Sequence, residues 1–264
     1  MKYKLVALDL DGTLLNDDNY ISEYTKSILL KLVKKGIYVV IATGRSYSSV
    51  KPKIQDLKLG HPVICYNGAM IRDGHNDEIL LETAVPDTIS REMIKISRRE
   101  NIHFQGFING EFHYEKESKS SSFYQELSGL NGQIINFDNL DSLNFTKCMF
   151  IGHRDSLVTL EKSLKTDYND RCYIAFSKPT FLEIMNIKAS KAKALKKLAT
   201  DLNIDIEDII AFGDGMNDED MLDFVGKGII MKNGHESLKL KFENTIYTNN
   251  QDGVAKYLEG LLDE

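Results

Sequence analysis

The first 45 residues alternate apolar runs with an amphipathic run, and this pattern constrains the fold more than any other feature. The runs are LVALDL, then ISEYTKSILLKLVKKG, then IYVVIATGR. In the middle run, Tyr24, Ile28 and Leu32 recur at helical spacing. Ser22 is suited to capping the start of this helix, and Gly36 to ending it. Two β-branched strands joined by a helix predict a right-handed β-α-β unit in a parallel sheet covered on both faces.

From about Val85 the pattern changes. A helical run, DTISREMIKISRREN, is followed by two alternating runs joined by Asn109-Gly110, the strongest short-range hairpin signal. A strand TKCMFIG, a helix RDSLVTLEKSLKTDY and two strands broken around Pro179 come next. Antiparallel hairpins with helices on one face are typical of a separate α+β unit.

Alternation of strand and helix then resumes through SKAKALKKLATDLN, DIIAFGD, DEDMLDFV and GIIMK. We therefore predict an α/β protein with a Rossmann-like parallel sheet and helices on both of its faces. Residues 1–84 and 187–264 would form this discontinuous core, and residues 85–186 an inserted α+β domain.

The composition limits the partners of this chain. The net charge of -6 argues against a nucleic-acid surface, which needs a basic stripe. No run approaches the roughly 18 unbroken apolar residues of a membrane span, and the N-terminus has no secretory signal pattern. The three cysteines are far apart and lack C-x-x-C spacing, which is typical of reduced thiols. We expect a cytoplasmic protein that binds neither nucleic acid nor membrane.

Polar side chains follow four of the predicted core strands. Asp9 and Asp11 come after the first strand, Thr43 after the second, Asn67 after the third and Asp214 after DIIAFG. Each motif alone is more often a turn or a solvated acid. The carboxyl ends of parallel strands, however, meet at one edge of a sheet, where open α/β sheets bind ligands. Joint placement at that edge predicts one site.

The acids in this set predict a metal ion. Asp9 and Asp11 are two residues apart and would begin on one face, so their carboxylates must share a proton or hold a cation. Asp214 and Asp218 add further oxygen ligands, which favours magnesium. Calcium is the rival metal, but neither DLDGTLLNDDNY nor GDGMNDEDMLDF has the Gly and Glu that an EF-hand loop carries at its sixth and twelfth positions.

An aspartate at such a site can act as a nucleophile and form an acyl phosphate. The phosphate repels this attacker by about 4 kcal/mol for each unit-charge pair about 4 Å apart at an effective dielectric of about 20. Positive charge must therefore be supplied. Lys191 is the best candidate besides the metal, because it follows the N-cap candidate Ser190 and opposes the helix dipole, a locally unfavourable choice.

These residues resemble the four motifs of the haloacid dehalogenase superfamily. The motifs are DLDGT at 9–13, ATGR around Thr43, Lys191, and GDGMND at 213–218. The short first gap and the long insertion before Lys191 are similar to the Cof-like, type IIB branch, whose cap is an α+β insert. NGA at 67–69 and DGVA at 252–255 are also similar to that branch.

The resemblance implies a magnesium-dependent phosphatase that hydrolyses small phosphorylated metabolites, such as sugar phosphates or phosphorylated cofactors. Asp9 would be the nucleophile that carries an aspartyl-phosphate. Asp11 would be the general acid and then the general base. Mg²⁺ would be held by Asp9, the backbone carbonyl of Asp11 and Asp214, with Asp218 in or next to the coordination shell. The inserted domain would be a substrate-specificity cap.

The resemblance also assigns the remaining site residues. The phosphate would be gripped by Thr43, Gly44, Lys191, Asn217 and the backbone of Leu10, and the substrate would be faced by Arg45 and Asn67. Where the family reads G-V-S-K-G this chain has KASKA, so Lys188 competes with Lys191, although the Ser-Lys register favours Lys191. KNG at 232–234 departs from the G-N-A of the branch, which affects the rim of the site.

Two other functions remain open at this level. A phosphomutase of related chemistry would return the phosphoryl group to a second hydroxyl. A catalytically silent module would only bind a phosphorylated ligand. The intact Asp11 argues against the silent module, because a receptor needs no acid to protonate a leaving group.

Overall fold

The computed structural model describes residues 2–262 and divides into two compact units. The first unit includes the described residues up to 45, residues 52–81 and the described residues from 190 onward, and the second unit includes residues 46–51 and 82–189. The strands are β1 Leu5–Leu8, β2 Tyr38–Ala42, β3 Val63–Cys65, β4 Met70–Arg72, β5 Ile79–Glu82, β6 His103–Ile108, β7 Glu111–Tyr114, β8 Gln133–Ile134, β9 Lys147–Ile151, β10 Cys172–Lys178, β11 Phe181–Asn186, β12 Ile209–Gly213, β13 Lys227–Ile230 and β14 Glu243–Asn244. The α-helices are α1 Glu23–Lys34, α2 Tyr47–Leu57, α3 Asp87–Glu100, α4 Lys119–Ser128, α5 Arg154–Tyr168, α6 Lys191–Asp201, α7 Glu219–Phe224, α8 Glu236–Lys239 and α9 Gly253–Leu262.

An eight-stranded sheet of order β14-β13-β12-β1-β2-β3-β4-β5 forms the centre of the first unit. The strands from β14 to β3 run parallel, and β4 is antiparallel to β3. Leu8 at the end of β1 pairs with Phe212 of β12 and with Ile41 of β2. The carboxyl ends of these three strands therefore lie level with one another.

Helices cover both faces of this sheet. On one face, Leu195 of α6 and Met221 of α7 belong to the same buried cluster as Ala211 of β12. The next residue along β12, Phe212, points to the opposite face, where its ring makes an edge contact with Tyr257 of α9. Helix α1 packs beside α9. The predicted parallel α/β core with helices on both faces is confirmed.

The second unit is built on a six-stranded sheet of order β10-β11-β9-β6-β7-β8, antiparallel except between β7 and β8. Its apolar cluster joins Met93 of α3 and Leu157 of α5 to Phe150 of β9. The hairpin between β6 and β7 turns through Asn109 and Gly110, whose φ angles are 54° and 90°. Both residues are in the left-handed region, as the predicted two-residue turn requires. The α+β character of the insert is as predicted.

The bounds of the two units differ from the predicted ones by three residues at each junction, 82–84 and 187–189, and at one further segment. Residues 46–51 belong to the second unit, whereas the sequence pattern assigned them to the core. The reason is local, because the Ser48 hydroxyl donates a hydrogen bond to the Gly110 carbonyl of the β6–β7 turn. The division into a core of 1–84 and 187–264 and a cap of 85–186 stays a prediction.

Helix α4 is not indicated by the sequence pattern, because the run KSSSFYQELS has weak helical propensity and little periodicity. Its start is instead fixed by a reciprocal cap. The Ser121 N–H donates to Ser118 Oγ at 3.1 Å, and the Ser118 N–H donates to Ser121 Oγ at 2.8 Å. Within residues 2–262, no helix has the length and apolar character that a membrane crossing requires.

Candidate active site

The loop after β1 begins as a continuation of the buried strand. The Asp9 N–H donates to the Phe212 carbonyl at 3.0 Å, and only 4% of Asp9 is exposed. The chain then turns, and the Leu15 N–H donates back to the Leu10 carbonyl at 2.8 Å. Asp9 is therefore held by the sheet, whereas the residues that follow belong to a tight loop.

Gly12 allows this loop to approach the end of β12. Its φ of +74° is in the left-handed region, and a Cβ at this position would lie 2.3 Å from Asp214 Oδ2. The neighbouring Thr13 hydroxyl donates to Asp214 Oδ1 at 3.2 Å. Backbone conformation and close packing therefore both require glycine here.

Lys191 joins the loop after β1 to the loop after β12. Ser190 caps α6 by accepting a hydrogen bond from the Lys193 N–H at 3.0 Å, as the sequence predicts. Lys191 is the first residue of that helix and is 1% exposed. Its Nζ lies 2.6 Å from Asp9 Oδ1 and 2.6 Å from Asp218 Oδ1. One buried ammonium group thus contacts two buried carboxylates.

The other oxygen of Asp218 is also satisfied. Asp218 Oδ2 accepts hydrogen bonds from the N–H groups of Asp214 and Gly215, each at 3.0 Å. Asp218 is completely buried in the short turn that precedes α7. Because both of its oxygens have donors, its carboxylate is fixed in orientation.

Asp9, Asp214 and Asp218 form one acidic group, in which a carboxylate oxygen from each lies within 4.8 Å of the others. With all three carboxylates ionised, Lys191 would compensate only one of the three charges and leave two negative charges in excess. Burial is the largest cause that raises the pKa of Asp9, to about 8; Lys191 opposes the shift, and the charges of Asp218 and Asp214 add to it. Burial and the Asp218 charge likewise raise the pKa of Asp214 to about 6.

The donor chemistry of this acidic group fits a divalent cation. All three side chains offer hard carboxylate oxygens, and the local charge is negative. Burial alone would lower the pKa of Lys191, but Asp9 and Asp218 together raise it above its usual value. The lysine therefore stays protonated and does not itself titrate to relieve the excess charge.

The carboxylate of Asp11 is not part of this acidic group. Arg45 donates from Nε to Asp11 Oδ2 at 2.7 Å and from Nη2 to Asp11 Oδ1. Arg45 Nη2 also donates to Asn19 Oδ1 at 2.8 Å. The expectation that Asp9 and Asp11 begin on one face does not extend to their carboxylates, because the chain leaves the strand after Leu8. Each acid has its own cationic partner instead.

The loops after β2 and β3 run side by side. Thr43 is completely buried, its hydroxyl accepts from the Arg45 N–H at 3.1 Å, and its carbonyl accepts from the Asn67 N–H at 3.0 Å. Asn67 Oδ1 in turn accepts from Asn217 Nδ2 at 3.2 Å. A Cβ on Gly44 would lie 3.0 Å from the same Asn67 oxygen. Asn67 therefore links the loops after β2, β3 and β12.

All of the predicted site residues lie after β1, β2, β3 or β12, or at the start of α6. The predicted gathering at one sheet edge is therefore seen in the geometry, although their chemical roles stay predictions. Lys188, the competing lysine, is exposed, and its N–H donates to Asn186 Oδ1. Lys191 is the lysine that contacts the acids.

Sequence reasoning gave no role to several residues that support the site. Thr13 and Asn19 bond to Asp214 and Arg45, and Asn233 and Asn249 bond to the loop after β1. Thr13 could have been found from its place in DLDGT. Asn19 and Asn233 lie in loops and Asn249 begins a short 3-10 helix, where periodicity carries no information about side-chain partners.

Comparison with known proteins gives consistent matches along the whole chain. A family model described as haloacid dehalogenase-like hydrolase matches residues 6–258. The chain is 31% identical to 5-amino-6-(5-phospho-D-ribitylamino)uracil phosphatase YitU of Bacillus subtilis, over 97% of this chain and 96% of the relative. It is 30% identical to the HMP-PP phosphatase of Serratia proteamaculans, over 98% and 96% of the two chains.

A solved structure of a haloacid dehalogenase-like hydrolase from Bacteroides thetaiotaomicron has the same fold, with a TM-score of 0.90 at 28% identity. The match covers 98% of this chain and 99% of the other. The expectation of a phosphatase with this architecture is confirmed at the level of family and enzyme class. The chain belongs to the haloacid dehalogenase-like hydrolase family and is one of its phosphatases.

Proposed function

We propose that this phosphatase hydrolyses phosphate monoesters of small metabolites through a phosphoryl group carried on Asp9, with Mg²⁺ bound at the acidic group. The observation that carries the proposal is the buried contact of Lys191 with both Asp9 and Asp218, beside the carboxylate of Asp214. A carboxylate with excess negative charge around it, and one ammonium beside it, suits attack on a phosphorus atom once a cation is present.

In the first half of the reaction, a carboxylate oxygen of Asp9 attacks phosphorus, and the bond from phosphorus to the ester oxygen breaks. Asp11 gives its proton to the departing alkoxide. In the second half, Asp11 takes a proton from water as the water oxygen attacks phosphorus. The bond to Asp9 then breaks, which releases inorganic phosphate and restores the Asp9 carboxylate.

Lys191 has two tasks in this scheme. Its contact with Asp9 Oδ1 at 2.6 Å orients the nucleophile, and its charge favours the ionised form that burial opposes. When bound, Mg²⁺ would supply positive charge against the phosphoryl oxygens. Asp9, the Asp11 carbonyl and Asp214 would hold it, with Asp218 in or next to the coordination shell.

The other assignments follow from position at the same sheet edge. We assign contacts with the phosphate to the backbone of Leu10 and to Thr43, Gly44, Lys191 and Asn217. Asn67 and Arg45 are assigned to the substrate, and Arg45 additionally fixes the Asp11 carboxylate through two donors. This pairing favours the ionised carboxylate of Asp11, the form that takes a proton from water in the second half of the reaction.

The two curated relatives named above are phosphatases of different phosphorylated compounds. What we extend to this chain is the class that their names share, a small phosphorylated metabolite such as a sugar phosphate or phosphorylated cofactor. We further propose that residues 85–186 serve as the cap that contributes substrate selectivity. We also propose that the protein acts in the cytoplasm, because its three cysteines are odd in number, far apart in the sequence and without C-x-x-C spacing.

The test is release of inorganic phosphate from p-nitrophenyl phosphate and from a panel of sugar phosphates and phosphorylated cofactors, with Mg²⁺ or with EDTA. We expect Mg²⁺-dependent release by the native protein and none by Asp9→Asn. Asp18→Asn is the matched control, because Asp18 is an exposed acid of the same loop. Residual turnover by Asp9→Asn, an isomerised sugar phosphate in place of free phosphate, or tight binding without release would each contradict the proposal.

A further inference from the structure

Two asparagine amides outside the acidic group bind the backbone of the loop after β1. Asn233 follows β13, and its Nδ2 donates to the Gly12 carbonyl at 2.7 Å. Asn249 begins a short turn before α9, and its Nδ2 donates to the Leu15 carbonyl at 3.0 Å. The two bonds therefore fix the loop on both sides of Thr13.

The Asn233 amide is also bonded to the backbone of Asn249. The Asn249 N–H donates to Asn233 Oδ1 at 3.0 Å, so the Asn233 side chain is bonded at both its oxygen and its nitrogen. Asn249 is 7% exposed, and its Nδ2 also lies 3.1 Å from Asp17 Oδ1. An amide bonded at both ends has one orientation, and it therefore restrains the carbonyl that it contacts.

The restrained loop carries groups that the proposed reaction needs. Gly12 stands between Asp11 and Thr13, and the Thr13 hydroxyl contacts Asp214 at 3.2 Å. Glycine loses more conformational freedom on ordering than any other residue, so bonds from outside this segment add to the loop's own bond between Leu15 and Leu10 in holding it. The bond from Asn233 supplies such a restraint at the Gly12 carbonyl itself.

We propose that Asn233 and Asn249 are positioning residues for phosphoryl transfer, which hold Asp11 and Thr13 in place relative to Asp9. This inference rests on the proposed function. Neither amide is among the groups assigned to the phosphate or the substrate. Their loss should therefore misplace the reacting groups without removing a binding contact.

The test compares kcat and KM of Asn233→Ala, Asn249→Ala and the double variant with those of the native protein. Because displacements of about 1 Å at a reacting centre cost up to about 100-fold, we expect kcat to fall by about 10- to 100-fold. We expect KM to change by less than about threefold. Because both amides restrain the same loop, the loss in the double variant should be smaller than the product of the single losses.

Asn244→Ala is the matched control. The Asn244 amide lies in the same unit and also donates to backbone carbonyls, those of Lys239 at 3.0 Å and Phe242 at 3.3 Å, but none belongs to the loop after β1. We expect this variant to keep both kinetic constants. Rates are expressed per folded protein, measured by circular dichroism at the assay temperature, so that a loss of folding is not read as a loss of catalysis.

If Asn233→Ala retains kcat within about twofold, the inference is overturned. If Asp9→Asn is inactive in the same experiment, the proposed function still stands. A rise in KM of about 10- to 100-fold with unchanged kcat would also overturn the inference, because that result indicates a binding role. Asn233 is exposed, so its variant tests the inference even where Asn249→Ala does not fold. A native protein without phosphatase activity would instead contradict the proposed function.

Discussion

Replacement of Lys191 by methionine tests the electrostatics of the site. The lysine side chain is completely buried and contacts Asp9 and Asp218 at 2.6 Å each. Methionine preserves much of its volume, so the change removes a charge rather than opening a large cavity. Two buried carboxylates lose their ammonium partner.

The magnitude follows from these distances. At an effective dielectric of about 20, each contact at 2.6 Å is worth about 6 kcal/mol before the cost of burying the ammonium is subtracted. Breaking a buried pair by removing one partner costs about 3–5 kcal/mol net. We therefore predict that Lys191→Met lowers the free energy of unfolding by about 3–5 kcal/mol near pH 7 in EDTA.

The difference in the free energy of unfolding between Lys191→Met and the native protein should shrink as the pH is lowered. Burial and the Asp218 charge raise the pKa of Asp214 to about 6 with the lysine present, and removal of the lysine raises it further because Lys191 opposes that shift. The folded variant therefore binds more protons than the folded native protein as the pH falls, and it recovers stability relative to it. Added Mg²⁺ should also reduce the difference in stability, because the acidic group without the lysine charge should bind the cation more tightly and gain more stability from it.

Urea denaturation in EDTA at two pH values, about 5 and about 7, measures this effect. Lys188→Met is the control, because Lys188 is exposed, and we expect it to change stability by less than about 0.5 kcal/mol. Phosphate release by Lys191→Met should fall by about 100-fold or more. A Lys191→Met protein within about 1 kcal/mol of the native one at pH 7 would refute the electrostatic reasoning.

Two further perturbations test the backbone and the pH dependence. Gly12→Ala should cost roughly 2–5 kcal/mol of unfolding free energy and most of the phosphate release, because its Cβ would meet Asp214 Oδ2 at 2.3 Å. Gly36→Ala is the control, because Gly36 has a φ of +80° but no atom lies within 4 Å of an added Cβ. It should cost about 1–2 kcal/mol of unfolding free energy and leave phosphate release unchanged. Equal effects of the two substitutions in urea denaturation and in phosphate release would contradict this. Burial lowers the pKa of His61 below 6.5, and its Nδ1 accepts a hydrogen bond from the Val39 N–H at 2.9 Å. The unfolded chain therefore takes up a proton at His61 more readily than the folded chain does. We expect the free energy of unfolding to fall as the pH drops through 6.5. His61→Asn should show a shallower fall in urea denaturation, and an unchanged slope would contradict the assignment.

The sequence is enough to predict the parallel core and the edge of the sheet at which the site lies. Continuous apolar strands followed by polar residues place Asp9, Thr43 and Asp214 at the ends of parallel strands, because strand direction decides where those ends meet. The same rule fails for Asp11, whose side-chain direction is decided by a loop and by Arg45. Partners chosen by loop geometry have no periodic signal.

The same limit explains what was missed elsewhere. Helix α4 depends on a cap between Ser118 and Ser121 rather than on an apolar stripe. Asn233 and Asn249 contact residues more than two hundred positions earlier in the chain, a pairing that only the folded topology creates. Local patterns therefore predict the elements and the acids, but not the hydrogen bonds that hold the loops.

The central claim is that Asp9 carries the phosphoryl group, and chemical trapping tests it most directly. The protein is mixed with Mg²⁺ and a substrate labelled in its phosphate, quenched in acid within one turnover and digested. We predict an acid-stable label that neutral hydroxylamine releases, located on the peptide that contains Asp9 and missing in Asp9→Asn. A turning-over protein that retains no label, or a label on a peptide without Asp9, would contradict the account.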